Sequence, residues 1–164
     1  MRVLAICGSL QESSSNLSLL RLAMAEAPSE LEIELYDGLR ELPHFNPDLE
    51  RDQAPGAVAE LRRAVAGAEA LLIATPEYGH SLPGSLKNAI DWLIGTGELE
   101  GKLVAITSAV PGPLRGRLGL AALRTTLGAV SARIAFQEPI ARGPNFAREV
   151  AEMLEALAAA ATSR

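Results

Sequence analysis

Two polar stretches carry the residue types that can do chemistry in this chain. The first is Gly8-Ser9-Leu10-Gln11-Glu12-Ser13-Ser14-Ser15-Asn16. It packs four serines, an asparagine and a glutamine between a short apolar run, residues 2–7, and a segment with Leu20, Ala23, Met24 and Ala27 on one helical face. Hydroxyls, amides and backbone N–H groups gathered at the positive end of a helix dipole make a phosphate site without a lysine. The same residues also suit an ordinary polar loop in which Ser15 or Asn16 caps the helix. Neither the P-loop pattern G-x-x-x-x-G-K-S/T nor the dinucleotide pattern G-x-G-x-x-G occurs. The second stretch, from Thr75 to Trp92, opens with Pro76-Glu77-Tyr78-Gly79-His80-Ser81-Leu82-Pro83-Gly84. Two prolines and two glycines there fix some backbone angles and free others, which suits a surface whose backbone groups face a ligand closely.

Other reactive side chains read as structural. Cys7 ends an apolar run and reads as a small core residue. His80 beside Ser81 lacks the G-x-S-x-G elbow of a hydrolase, and adjacent loop residues seldom face each other. His44 has no metal partners at ligand spacing, and no metal is expected. Lys87 and Asp91, four apart on a helix, form a surface or interface pair. Trp92 is packing, either within the domain or across a dimer contact.

These residues need elements to hold them. Residues 70–75 form an apolar run too short for a helix and ended by Pro76, so they predict a buried strand. Leu86, Ala89, Ile90, Leu93 and Ile94 follow at helical spacing, with Ser85 as the expected N-cap. Residues 2–7 and 103–107 predict two more buried strands. Residues 31–36 alternate apolar and acidic side chains, as an edge strand with one wet face does. Residues 130–136 predict a fifth strand. Helices are expected over 56–68, around Leu120, Leu123 and Leu127, and from Asn145 on, with the tail fraying from Ala158. Residues 37–55 and 108–117 read as loops, the first long enough to suggest a functional or interaction surface.

Strands alternating with helices five times, three of them nearly all apolar, imply a parallel sheet covered on both faces. The expected fold is α/β, a doubly wound five-stranded parallel sheet of order 2-1-3-4-5 in a single domain, 1–164. In such sheets the ligand lies beyond the strand C-termini where the order reverses, between strands 1 and 3. The two polar stretches are the loops that follow those strands.

Composition narrows the class further. The chain has 164 residues, 48% apolar and only 4% aromatic. No apolar run approaches the roughly 18 residues that cross a bilayer. The N-terminus is too briefly apolar for a secretory signal, and the single cysteine excludes an internal disulfide framework, so a cytoplasmic protein is expected. A formal net charge of −5 argues against nucleic-acid or anionic-membrane partners.

Gly8-Ser9-Leu10 followed by Ser14 and Asn16, then Pro76-Glu77-Tyr78 and Ser81-x-Pro83-Gly84-x-Leu86-Lys87-Asn88-Ala89-Ile90-Asp91-Trp92, closely resembles the NAD(P)H-dependent FMN reductase family. These flavodoxin-like proteins include quinone, chromate and azo-dye reductases, and the resemblance runs from the first strand to at least Arg124. It implies FMN as cofactor and NADPH or NADH as electron donor. It implies that Ser9, Ser14, Ser15 and Asn16 contact the FMN phosphate and that Pro76, Glu77, Tyr78 and Gly79 lie against the isoalloxazine ring. By the same resemblance Ser108 and Gly112, in the loop after strand 4, line the other side of the flavin. Gln11 and Ser81 complete the expected cofactor-binding set. Three departures stand out. The family usually has arginine where Gln11 stands, often asparagine where Gly79 stands, and a glycine-rich turn where Arg115-Gly116-Arg117 stands. The first weakens the phosphate grip, the second alters a ring contact, and the third moves positive charge to the site mouth.

The resulting expectation is a flavoprotein oxidoreductase, a homodimer or homotetramer, that moves electrons from NAD(P)H through FMN to a small acceptor. No catalytic side chain is expected, because the flavin carries the redox chemistry. Two rivals are a flavodoxin-like electron carrier, for which this chain is only mildly acidic and poor in aromatics, and a fold relative that has lost FMN.

Overall fold

A computed structural model describes residues 1–50, 54–112 and 114–162, so the loops expected at 37–55 and 108–117 and the C-terminal tail lie partly outside the described residues. Five strands, β1 (Arg2–Cys7), β2 (Glu32–Tyr36), β3 (Ala70–Ala74), β4 (Leu103–Val110) and β5 (Arg133–Ala141), alternate with five helices. The helices are α1 (Ser15–Ala25), α2 (Gly56–Gly67), α3 (Gly84–Asp91), α4 (Arg117–Gly128) and α5 (Phe146–Thr162). The strands form one parallel sheet of order β2-β1-β3-β4-β5, the expected flavodoxin-like topology.

Alternation along the strands splits the core in two. Leu4, Ile6, Leu71, Ile73, Val104 and Ile106 face α2, α3 and α4, whereas Val3, Ala5, Cys7, Leu72 and Ala105 face α1 and α5. Both faces are therefore sealed, and each fully buried leucine contributes roughly 1.5–3 kcal/mol. Among the described residues no helix is long and apolar enough to cross a membrane.

Register sets the site. Cys7 pairs with Ala74 and Ala74 with Thr107, so β1 and β3 end level and release their following loops side by side, while β4 runs on past them to Val110.

Several boundaries differ from the sequence reading. Met24 is 39% exposed, and Leu19 fills the α1 face in its place. Helix α3 begins one residue before Ser85 and has Pro83 as its N-cap. Ser85 Oγ instead donates to the Gly8 carbonyl at 3.4 Å. The helix stops at Asp91, with Leu93 and Ile94 bonding three residues back to Ile90 and Asp91, and Ile94 is exposed. Residues 37–50 hold two 3-10 turns, Gly38–Glu41 and Pro47–Glu50, with Leu39 and Leu42 buried. Asn88 and Trp92 fix that segment: Asn88 Nδ2 and Trp92 Nε1 both donate to the Pro43 carbonyl, and Phe45 packs edge-on to the indole at 5.0 Å. Trp92 is thus packing within the domain.

The fifth strand starts three residues later than expected because α4 ends in a Schellman motif across residues 130–132. Ala132 N–H donates to the Leu127 carbonyl, Ser131 N–H to the Gly128 carbonyl, and Ser131 has φ 58°. Strand β4 continues past Thr107, so Ser108 lies in the strand and not in the loop after it. Helix α5 is regular to Thr162 because Ala158, Ala160 and Ala161 pack against the core.

Candidate functional site

The buried polar side chains of the described residues are Ser9, Ser14, Asn16, Thr75, Thr107 and Ser108. All of them sit at the C-terminal ends of β1, β3 and β4 or at the start of α1. Burial of a polar group is unfavourable without a partner, so their convergence at one end of the sheet marks a built site.

The first wall is the loop from β1 to α1. It presses so closely on β3 that a β-carbon on Gly8 would lie 2.3 Å from Thr75 Oγ1. Ser14, and neither Ser15 nor Asn16, is the N-cap of α1, its hydroxyl accepting from Asn16 N–H at 3.2 Å. Ser9 Oγ accepts from Gln11 N–H, and Ser15 is the first residue of the helix. Among the described residues the N–H groups of Ser13, Ser15 and Leu17 have no acceptor, leaving a cluster of donors at the positive end of α1. An anionic group such as a phosphate satisfies them. Gln11 is exposed, and its Nε2 donates to Ser13 Oγ at 3.0 Å. It lines a hollow of about 200 Å³ on the β2 side with Ser9, Arg21, Tyr36 and Arg40. Cys7 lies beneath this loop, and burial pushes its thiol up, against smaller opposing contacts from Ser9 and Ser14.

The second wall is the loop from β3 to α3. Tyr78 and Ser81 exchange two backbone hydrogen bonds of 3.0 Å, and the residues between them, Gly79 at φ 57° and His80 at φ 63°, are both left-handed. That is a type I′ turn, a two-residue hairpin that favours asparagine or glycine at the first position. Gly79 therefore keeps the turn that asparagine would make. Tyr78 is 56% exposed, and Pro76 and Ser81 are half-buried. The Glu77 carboxylate turns away toward α4, where its Oε2 accepts from Gly119 N–H at 2.9 Å. Its Oε1 stands 3.5 Å from Nδ1 of exposed His80. The Gly119 N–H holds the Glu77 carboxyl below its ordinary value, with smaller help from His80.

The third wall is the end of β4 and the turn before α4. Ser108 is 2% exposed and lies under Gly116, and Gly112 is half-buried in the turn, its carbonyl accepting from Arg115 N–H. Asn16 Oδ1 accepts from Ala109 N–H at 2.8 Å and so ties the first wall to the third.

Sequence reasoning missed Thr75 and Thr107, whose signal was a threonine at the C-terminal end of an otherwise apolar run. It also missed Arg40, whose Nη2 donates to the Leu10 carbonyl at 2.7 Å and braces the first loop. Nothing in the sequence marks that contact across thirty residues. The Lys87–Asp91 pair forms on the exposed face of α3 at 2.5 Å. Among the described residues no group of three or more histidine, cysteine or acidic residues is placed to hold a metal ion.

Three polar loops that leave neighbouring strands at the sheet's switch point, where folds of this topology form a crevice, are suited to a flat ligand with an anionic tail. The chain is 41% identical over 114 residues to an NAD(P)H-dependent FMN reductase of Pseudomonas aeruginosa, covering 68% of this chain and 61% of that protein. It is 33% identical over 119 residues to a quinone reductase of Escherichia coli K12, covering 71% and 63%. The matches thus span about three fifths of the length of these curated relatives. Among solved structures, the flavoenzyme FerB of Paracoccus denitrificans, an NAD(P)H:(acceptor) oxidoreductase, superposes with a TM-score of 0.77 at 26% identity, covering 96% of this chain and 97% of the other. An apo NADH:FMN oxidoreductase shares the fold with a TM-score of 0.74 at 19% identity over 99% and 91% of the two chains. The family described as NADPH-dependent FMN reductase matches residues 1–141, from the first residue to the last of β5, and the chain belongs to it.

Proposed function

We propose that this protein is an NAD(P)H-dependent FMN oxidoreductase that passes electrons from reduced nicotinamide to a small acceptor such as a flavin, quinone, chromate or azo compound. The observation that carries this reading is the set of N–H groups of Ser13, Ser15 and Leu17 without acceptors, beside the buried hydroxyls of Ser9 and Ser14. That donor set fits a phosphate monoester, and the absence of a G-x-G-x-x-G pattern favours FMN over a dinucleotide flavin. In this reading Ser9, Ser14, Ser15 and Asn16 hold the phosphate end, with Gln11 at its rim. Pro76, Tyr78, Gly79 and Ser81 present backbone and one aromatic ring along one side of the flavin, and Ser108 and Gly112 close the other. The cofactor, when bound, accepts hydride and releases electrons. The chain's own part is to orient the ring, exclude water from one face and leave the other open to nicotinamide and acceptor in turn.

The same reading treats residues 1–164 as one domain acting in the cytoplasm as a homodimer or homotetramer. The test is reconstitution. FMN titrated into the apoprotein should quench its fluorescence to saturation, FAD should bind more weakly, and the loaded protein should oxidise NADH or NADPH with a quinone. A protein that takes up no FMN in excess overturns the assignment. One that binds FMN but oxidises neither nicotinamide is an electron carrier instead.

A further inference from the structure

Helix α4 begins without a cap of its own. Its N-cap is Gly116, at φ 82°, which has no side chain to accept the N–H groups of the first turn. The acceptor comes from another element: Glu77, forty-two residues earlier, places Oε2 2.9 Å from Gly119 N–H. A carboxylate at this end of a helix also meets the positive end of its dipole. The approach is close along the whole side chain. A β-carbon on Gly119 would stand 3.0 Å from Cβ, 3.1 Å from Cα and 3.2 Å from Cγ of Glu77. One of these three neighbours is a backbone atom, so a larger residue at 119 displaces the loop itself. The turn that Gly116 ends is also seated, since a β-carbon there would meet Val110 Cγ1 at 2.9 Å and Ser108 Cβ at 3.0 Å. Glu77 thus joins the loop after β3 to the helix that carries the loop after β4.

We propose that Glu77 is a positioning residue: its carboxylate caps α4 and locks the Tyr78–Ser81 turn against Gly116 and the first turn of α4, setting the width of the crevice between the loop after β3 and the start of α4. This rests on the reading of that crevice as the FMN site. Glu77 then acts on the flavin through α4 and not by side-chain contact with the ring. Gly119 N–H at 2.9 Å is the closer partner of the carboxylate and exposed His80 at 3.5 Å the more distant one, so replacing His80 should leave the cap standing.

The test uses Glu77→Ala, Glu77→Gln and Gly119→Ala in the full chain. Without FMN, amide hydrogen exchange should accelerate together in peptides covering residues 76–81 and 117–120 of the Glu77→Ala protein, by about tenfold, with α5 unchanged. Glu77→Gln keeps one acceptor oxygen at the same reach and should recover part of that protection. With FMN, Glu77→Ala should weaken binding by about tenfold and broaden the visible flavin band. Gly119→Ala, which improves helix propensity and touches no proposed flavin contact, should weaken FMN binding in the same direction. Faster exchange in 117–120 alone, or unchanged FMN affinity in both alanine variants, overturns the proposal. A parent protein that binds no FMN overturns the FMN reading instead, and the exchange measurement still decides the cap.

Discussion

Asn16 links parts of the chain that lie ninety-three residues apart. It is 5% exposed, its backbone N–H is taken by the Ser14 cap, and its Oδ1 satisfies the Ala109 N–H of β4. Its side chain therefore holds the start of α1 against the end of the sheet, independently of any ligand. Replacing Asn16 by alanine leaves the partly buried Ala109 N–H unpaired, and chemical denaturation of the apoprotein should show a loss of about 1–3 kcal/mol. A loss below about 0.5 kcal/mol would mean that water replaces the amide. Sequence reasoning placed Asn16 at the site, because polar residues between an apolar run and a helix start are visible as such. It did not find the strand contact, since a bond across the sheet leaves no local pattern. Cys7 shows the opposite case. Its position at the end of an apolar run predicts a core residue, and burial with a raised thiol pKa is what the structure has.

Elements were legible where one force dominated. The strands β1, β3 and β4 are buried on both faces, so their sequences are nearly unbroken apolar runs, and β2 shows the alternation of an edge. Ends were less legible because they depend on hydrogen bonds between elements. Ser85 has the type of an N-cap, yet it lies inside the first turn and bonds to Gly8, and residues 130–132, read as the start of a strand from Val130, terminate α4. The turn after Tyr78 is the clearest local rule in the site, since two successive left-handed residues fit only a type I′ hairpin. Gly79→Asn should therefore leave stability within about 0.5 kcal/mol of the parent, whereas Gly79→Val, with a branched β-carbon at φ 57°, should lose about 1–2 kcal/mol. Equal melting temperatures for the two variants would show that the turn relaxes to another type.

At the scale of the molecule, the sheet's two edges are closed to association. Strand β2 is five residues long with two outward acidic residues, and β5 carries a register shift opposite Val104 and Ala105 and a proline at 139. Short, charged, bulged or proline-bearing edges resist pairing with another strand. The exposed large apolar side chains lie elsewhere. Leu10, Phe45, Leu49, Tyr78, Leu114 and Leu118 all belong to segments that follow strand C-termini, leaving only Met24 and Ile94 apart from them among the described residues. A stable interface needs about 800 Å² from each partner, roughly a tenth of the 8489 Å² surface of this chain, and these six side chains are the candidates for the apolar centre of such a rim. The homo-oligomer proposed above would then bury the crevice mouth, with a neighbouring chain walling the flavin edge. Sedimentation at micromolar concentration should give a species at least twice the 17.3 kDa of one chain. Leu114→Glu with Leu118→Glu should shift it to the monomer while the far-ultraviolet dichroism is kept, because the two leucines are 86% and 53% exposed and their loss opens no cavity. A parent protein that sediments only as a 17.3 kDa species with FMN bound and turnover intact would show that one chain holds the whole site and that the apolar rim serves the nicotinamide or acceptor instead.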